Sequence, residues 1–367
     1  MRGYRSVPDS GTDFVVFGAS DMGKWGFWLT VLLLAMGGLV GCGGRPEQSQ
    51  NRSRLDIVKS RGKLFCGVSG ELPGFSYLDP AGNYSGLDVD VCRAIAAAIF
   101  DDPEAVEFRK LNAKERFIAV QTGKVDVLSR NTTWTLDRDT TGGLEFAPTV
   151  FYDGQGIMVR KSSNIETLED LSNKTICTQT GTTNELNLAD QMRKREIEYK
   201  PLVYEDVNIT YNTYFEGRCD AVTSDRSQLV SRRSAFPNPE EHVVLEDVLS
   251  KEPLGPATRN GDSRWFDVVK WSVYTLIEAE ELGITSENLD KKLASNDPVV
   301  ARFLGQSGEL GQGLGLSNDF AVRIIRHVGN YGEVYDRSLG PESSLDLPRG
   351  LNQLWTAGGL LYSPPFR

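Results

Sequence analysis

Histidine is almost missing: of 367 residues only His242 and His327 are histidines, far apart and without metal-ligand spacing. Neither lies near a Ser, Cys or Asp pattern of the kind that builds a nucleophilic triad, so zinc and hydrolase readings lose their usual residues. Each reads as a surface or packing residue. Long basic runs are missing as well, and 40 Lys and Arg against 50 Asp and Glu leave a formal net charge of -10. Neutralising phosphates takes clustered Lys and Arg, so nucleic acid is excluded as a partner. A small basic pocket on an acidic surface stays open, so the charge says little about a small ligand. The sequence assigns no catalytic residue, no metal and no cofactor.

Long apolar runs are scarce too. Trp25 to Val40 is the one present, broken by Gly26, Thr30, Gly37 and Gly38. It is short for a membrane span and has the length of a signal-peptide core. Lys24 precedes it, and Leu39-Val40-Gly41-Cys42 closes it. That ending resembles the lipobox of bacterial lipoproteins, which implies a signal peptide over 1–41 and lipidation of Cys42. A thioether-linked lipid and acylation of the new amino terminus supply more than one chain, enough for stable anchoring to a membrane. Residues 1–21 are too long for a leader and carry Asp9, Asp13 and Asp21, so Met22 is the candidate start. The alternative is an uncleaved anchor helix with an incidental cysteine. Residues 42–54, polar and aperiodic from Pro46 on, read as a lipidated tether, with the folded part starting near Leu55.

Four cysteines remain: Cys66, Cys92, Cys177 and Cys219. An even number in an exported chain suggests disulfides, and three pairings are possible. Cys66 falls in an expected strand, Lys63 to Val68, and Cys92 in the helix after it, where Val91, Ile95 and Ala98 repeat at helical spacing. Cys177 and Cys219 fall in two later expected strands. Cys66–Cys92 and Cys177–Cys219 are the economical choice, with four buried thiols as the alternative.

From Asn112 to Ser129 the chain reads helix, stop, strand: Asn112 caps, Glu115 completes a capping box, Gly123 ends the helix, and Val125 to Leu128 is apolar. The order returns at Tyr211 to Ser224. Both copies read Gly, basic residue, any residue, Asp, apolar strand, then Ser. A pair of α/β lobes with mainly parallel sheets follows. Ligands on such sheets bind beyond the carboxyl ends of strands. Three polar turns sit there: Ser129 to Thr133, Thr180 to Thr183 and Ser224 to Ser227. None would pack a core well.

Thr180-Gly181-Thr182-Thr183 precedes a helical run, and N–H groups at a helix start suit a carboxylate. An ordinary helix cap is the competing reading. Arg138 offers a planar clamp for a carboxylate, and Asp225 an acceptor for an ammonium. A guanidinium, a helix N-terminus and a carboxylate are what a zwitterion needs. Phe75, Tyr77, Trp134 and Tyr152 read as core, except Phe75 in its Pro73-Gly74-Phe75-Ser76 loop.

These residues carry a resemblance. ELPGFSYLDPAGNYSGLDVDVCRAI at 71–95, TWTLDRD at 133–139, FYDGQGIMV at 151–159 and TQTGTTNE at 178–185 are similar to family-three periplasmic amino-acid-binding proteins. GRCDAVTSDRS at 217–227 and LPRGLNQLWTAGGLLYSPPFR at 347–367 extend it to the last residue. The nearest branch is the general L-amino-acid, or glutamate/glutamine/aspartate/asparagine, binders.

The resemblance implies an α/β, two-lobed type II periplasmic-binding-protein fold, closing like a hinge on two crossing strands. One lobe takes 55–153 and 248–367, with a C-terminal extension from Asn288 strapping it and Gly308 to Gly315 as an exposed loop. The other takes 154–247. The α-carboxylate clamp falls on Arg138 with the backbone of Thr182, and the α-amino acceptor on Asp225. Polar contacts fall on Asn131 and Thr133, with Thr180 beside them, and the aromatic lid on Phe75. Arg130 replaces a small residue of many relatives and points to acidic or amide side chains. The implied partners are a free L-amino acid and an ABC permease with its ATPase, the protein acting as a periplasmic monomer held to the membrane by lipid. The rivals are a dehydratase-like enzyme on the same scaffold and a sensory binding protein. An enzyme needs an acid or base in the cleft, and the sequence shows neither a histidine nor an obvious carboxylate pair there.

Overall fold

The apolar run Leu64–Val68 forms a strand whose Leu64, Cys66 and Val68 are buried. It pairs in parallel with Val106–Lys110 on one side and Val127–Leu128 on the other. Ala257–Arg259 and Leu144–Phe146 continue this sheet antiparallel. A second sheet repeats the plan. Thr175–Gln179 lies between Lys200–Tyr204 and Ala221–Asp225, both parallel to it. The long strand Phe151–Arg160 adds antiparallel, followed by His242–Val244. These statements rest on a computed structural model that describes residues 52–367. The signal peptide, Cys42 and nearly all of the tether lie outside the described residues.

Each sheet is thus a parallel trio extended by antiparallel strands, which sharpens the expectation of mainly parallel sheets. The returning strands come from segments that pass between the sheets. Phe151–Gly154 pairs antiparallel with Lys251–Leu254, and the chain runs on from there into Ala257–Arg259 of the first sheet.

The doubled Gly-basic-x-Asp pattern is a structural repeat. Asp126 donates its N–H to Phe65 O at 2.8 Å and accepts from Phe65 N–H at 2.7 Å. Asp220 does the same with Thr175, at 2.8 and 2.7 Å. Each aspartate therefore ties a strand to its parallel neighbour from one end. The preceding Gly123 and Gly217 sit at φ +73° and +83°, where a side chain would be strained.

Both bridges, Cys66–Cys92 and Cys177–Cys219, are present, with Cα atoms 6.4 and 5.8 Å apart. Cys66 lies in its strand and Cys92 in the helix Leu87–Phe100. Cys219 is not in a strand as the sequence suggested. It lies in the turn before Ala221–Asp225, because Arg218 N–H still bonds back to Thr213 O of the helix Val207–Phe215.

The first sheet is covered by the helices Leu87–Phe100 and Ser263–Glu281, whose apolar faces share one core with the strand Leu64–Val68. Residues 288–367 build on those helices. Tyr331 donates to Val150 O at 2.7 Å, Arg337 pairs with Asp90 at 2.8 Å, and Phe366 packs edge-on against Trp271 and Phe303. Gly308 to Gly315 is largely exposed, as expected, but is not all loop. It contains the helix Leu310–Leu314, and a Cβ on buried Gly311 would sit 2.2 Å from Ser317 O, so the backbones touch.

Candidate functional site

The strand Val127–Leu128 ends in the turn Ser129 to Thr133, opposite two features of the second sheet. These are the start of the helix Thr183–Lys194 and the end of the strand Ala221–Asp225. Arg130, Asn131, Thr133, Thr182 and Asp225 line one cavity there, with a volume of about 20 Å³. That is room for about one water molecule, so the walls are nearly in contact.

Direct bonds cross the gap. Asn131 Nδ2 donates to Gln228 Oε1 at 3.2 Å, and Ser231 Oγ to Pro73 O at 2.8 Å. Glu252, 1% exposed on the strand Lys251–Leu254, joins both sides. One of its oxygens accepts from Thr133 Oγ1 at 2.6 Å and Thr183 Oγ1 at 2.8 Å, the other from Asn187 Nδ2 at 2.9 Å.

Thr182 is the N-cap of its helix. Its hydroxyl accepts from Glu185 N–H at 3.2 Å and donates to Gln179 O at 2.7 Å. The side chain is thereby spent, and what it leaves to a ligand is the first N–H groups of a 12-residue helix.

Three residues of the sequence reading lie outside this cavity. Arg138 does not line the cavity. Its Nη1 donates to Thr133 O at 2.8 Å, its guanidinium lies 5.0 Å from the Phe117 ring centroid, and it faces an adjoining space shared with Thr182. Phe75 is 1% exposed and packs edge-on against Phe151 at 5.2 Å, not over the cleft. The reason is local: Gly74 and Phe75 carbonyls accept from Leu87 and Asp88 N–H at the start of a helix, which fixes the loop against the core. Thr180 is also outside the cavity, its N–H bonded to Tyr204 O of the neighbouring strand at 2.9 Å.

Arg116 was missed. It opens the helix Arg116–Gln121, is 3% exposed, lines the cavity, and stacks 4.7 Å from the Phe117 centroid. Its Nη1 reaches Thr132 Oγ1 at 3.4 Å, and its buried Nε has no partner among the described residues. The signal was readable: Arg116, Ala119 and Val120 fall at i, i+3 and i+4, the buried face of that helix.

Charge inside the site is strongly desolvated. Burial lowers the pKa of Arg116 and Arg138, and that of Arg130 to about 10. Burial pushes Asp225 well above the carboxylate range, and Asp153 and Glu252 push the same way. Asp225 is 5% exposed and accepts from Asn184 Nδ2 at 2.8 Å. Asp153, also raised by burial, accepts from Gly154 N–H at 2.8 Å and from Ser227. A pair of interacting carboxylates is therefore present where the sequence showed none. It forms because the Phe151–Arg160 strand runs antiparallel to Ala221–Asp225, setting Asp225 against Gln155 and bringing Asp153 to the start of the next helix.

Arginines on one side thus face a helix start and buried Asp225 on the other, across a gap closed by polar groups, which fits a small zwitterion. Among the described residues there is no group of His, Cys, Asp and Glu that would hold a metal ion, and no helix long and apolar enough to cross a membrane.

Known proteins agree with the fold. The chain is 50% identical over 315 residues to the general L-amino acid-binding periplasmic protein AapJ of Rhizobium johnstonii, covering 85% of this chain and 92% of the relative. It is 48% identical to the glutamate/glutamine/aspartate/asparagine-binding protein BztA of Rhodobacter capsulatus, covering 86% and 94%. A periplasmic binding protein of an ABC transporter from Brucella ovis, solved with glutathione bound, superposes with a TM-score of 0.84 at 48% identity, covering 86% of this chain and 99% of that one. The ancestral amino acid-binding protein AncCDT-1, a precursor of cyclohexadienyl dehydratase, reaches a TM-score of 0.54 at 28% identity, over 65% and 98% of the two chains. The architecture is the two-lobed type II periplasmic-binding-protein fold. Residues 64–289 match the model of the bacterial extracellular solute-binding proteins, family 3, and the chain belongs to that family.

Proposed function

We propose that this protein captures free L-amino acids, acidic and neutral polar ones foremost, and delivers them to the transmembrane subunits of an ABC importer driven by its ATPase. The carrying observation is a buried Asp225 in one small cavity with Arg116, Arg130 and a helix start. Asp225 takes the α-ammonium. The N–H groups at Thr182 take the α-carboxylate, with Arg116 inside the cavity and Arg138 from the adjoining space. Asn131 and Thr133 line the wall. The names of the AapJ and BztA relatives support this ligand class. The paired Asp153 and Asp225 are what an enzyme on this scaffold would use, but the AapJ and BztA relatives are named as binding proteins. Binding without turnover is the better reading.

Arg130 sets the side-chain preference. It is 5% exposed, holds Leu111 O through Nε at 2.8 Å, and has no ion-pair partner within 4.0 Å among the described residues. Arg130→Ser should weaken glutamate and aspartate at least about tenfold more than alanine in calorimetry. An equal loss for all three sinks the assignment.

We also propose that the mature protein begins at lipidated Cys42 and works as a membrane-tethered monomer, on the apolar run that ends Leu39-Val40-Gly41-Cys42. Cys42→Ala should release it from membranes or leave an unprocessed precursor. A soluble mature protein that starts elsewhere contradicts the anchor.

A further inference from the structure

The match to the family ends at residue 289, and the segment after it reaches back toward the site. Phe151–Arg160 is one of the two strands that join the sheets, and that segment holds its first residues. Val150 O, just before the strand, accepts from Tyr331 Oη at 2.7 Å. The Phe151 ring stacks on Tyr335 with centroids 6.3 Å apart. Tyr152 N–H donates to Asn352 Oδ1 at 2.6 Å, and Asn352 Nδ2 donates to Tyr152 O at 3.2 Å, across 200 residues of chain. Tyr152 pairs with Pro253 on its other side, so the Asn352 amide stands where the backbone of a third strand would. Asn352 is itself fixed. It is 3% exposed, and its backbone carbonyl accepts from Arg349 Nε and Nη2 at 3.0 and 2.9 Å. Arg349 makes a two-point ion pair with Glu280 of the helix Ser263–Glu281 and lies 5.3 Å from the Tyr331 ring centroid. The hold ends at Tyr152. Asp153 accepts from Ser227 N–H at 3.3 Å, and from Gln155 on the strand pairs with Ala221–Asp225 of the second sheet.

We infer that Asn352 is a positioning residue for capture: with Tyr331 and Tyr335 it brackets the joining strand up to Tyr152, so that the sheets pivot at Asp153 and Gly154. The chain before that point stays with the first sheet's helices, while Asp153 keeps its contact with Ser227 and travels with Asp225. Confining the bend to two residues pre-organises closure, because fewer backbone dihedrals are left to order when a ligand draws the sheets together. Without the Asn352 amide, Tyr152 N–H and C=O lose their partners and the strand bends over a longer stretch. The ligand-free protein then opens wider and releases a ligand sooner. The bracket stands apart from the amino-acid reading and shares with it only the ligand used as a probe.

Small-angle scattering and stopped-flow glutamate binding on the full chain test this. Ligand-free Asn352→Ala should have a larger radius of gyration than wild type, and with saturating glutamate the wild-type radius. Glutamate should leave it about tenfold faster, with association within about twofold. Tyr331→Phe loses only the bond to Val150 O and should move both readings the same way by less. Phe366→Ala is the control: its ring packs on Trp271 and Phe303, so its loss should lower the unfolding midpoint and leave radius and dissociation rate at wild-type values. An unchanged ligand-free radius in Asn352→Ala, or in Tyr331→Phe where Asn352→Ala does not fold, overturns the bracket. A Phe366→Ala protein that opens as widely overturns it too, since the effect is then general loosening. If wild type binds no glutamate, the amino-acid reading falls and the ligand-free radius alone decides the bracket.

Discussion

Asp225→Ala should lower the affinity for the best amino acid by about 2–5 kcal/mol while the protein still folds. Asp225 is 5% exposed, and Asn184 is the one side chain that donates to it among the described hydrogen bonds. An ammonium brought into that enclosure without its carboxylate would be a desolvated, unpaired charge. Folding should not suffer. Burial raises the Asp225 pKa, so its ionised form is a liability to the native state once pH exceeds the unfolded value. Asp225→Asn should therefore leave stability at neutral pH unchanged or higher. A ligand ammonium reverses the balance by favouring the ionised form. Wild-type affinity should climb as pH rises through the raised pKa, with proton release on binding, and Asp225→Asn should lose both effects. On the cationic side, Arg116→Ala should cost more than Arg138→Ala, because Arg138 already serves Thr133 O outside the cavity. Wild-type affinity in Asp225→Ala would contradict the placement of the ammonium.

Removing the second bridge should have the largest effect on stability. Cys177→Ala with Cys219→Ala frees a loop spanning 42 residues, against 26 for Cys66–Cys92. Loop-closure arithmetic gives a loss of about 3–4 kcal/mol, with under about 0.5 kcal/mol between the two bridges. The bridge joins the middle strand of the second sheet's parallel trio to the turn that feeds Ala221–Asp225, so it holds the element that presents Asp225. Denaturant unfolding of the double variant reads this directly. A loss under about 1 kcal/mol would mean that the Asp220 tie to Thr175 already fixes this corner without it.

What was legible in the sequence is what local chemistry decides. The Gly-basic-x-Asp repeats, the polar strand ends and the bridge cysteines all announce themselves within a few residues. Asn131, Thr133, Thr182, Asp225 and Arg130 came together because each ends a strand or starts a helix. Residues set by register between distant strands were not legible. Glu252 joins Thr133 to Thr183 across separations of 119 and 69 residues, and nothing beside it in the chain signals that. Asp153 approaches Asp225 only through antiparallel pairing of two strands. Phe75 lies off the cavity for the opposite reason: its loop looks free in sequence, but two backbone bonds to the next helix hold it against the core.

The most direct test of amino-acid capture is a thermal-shift screen of the purified protein against the twenty amino acids. A ligand bound by the native state alone stabilises it by about 2.7 kcal/mol at a hundred times its Kd. Acidic and amide amino acids should raise the unfolding midpoint most, smaller neutral ones less, and Asp225→Ala should abolish every shift. A protein whose midpoint no amino acid moves would contradict the account.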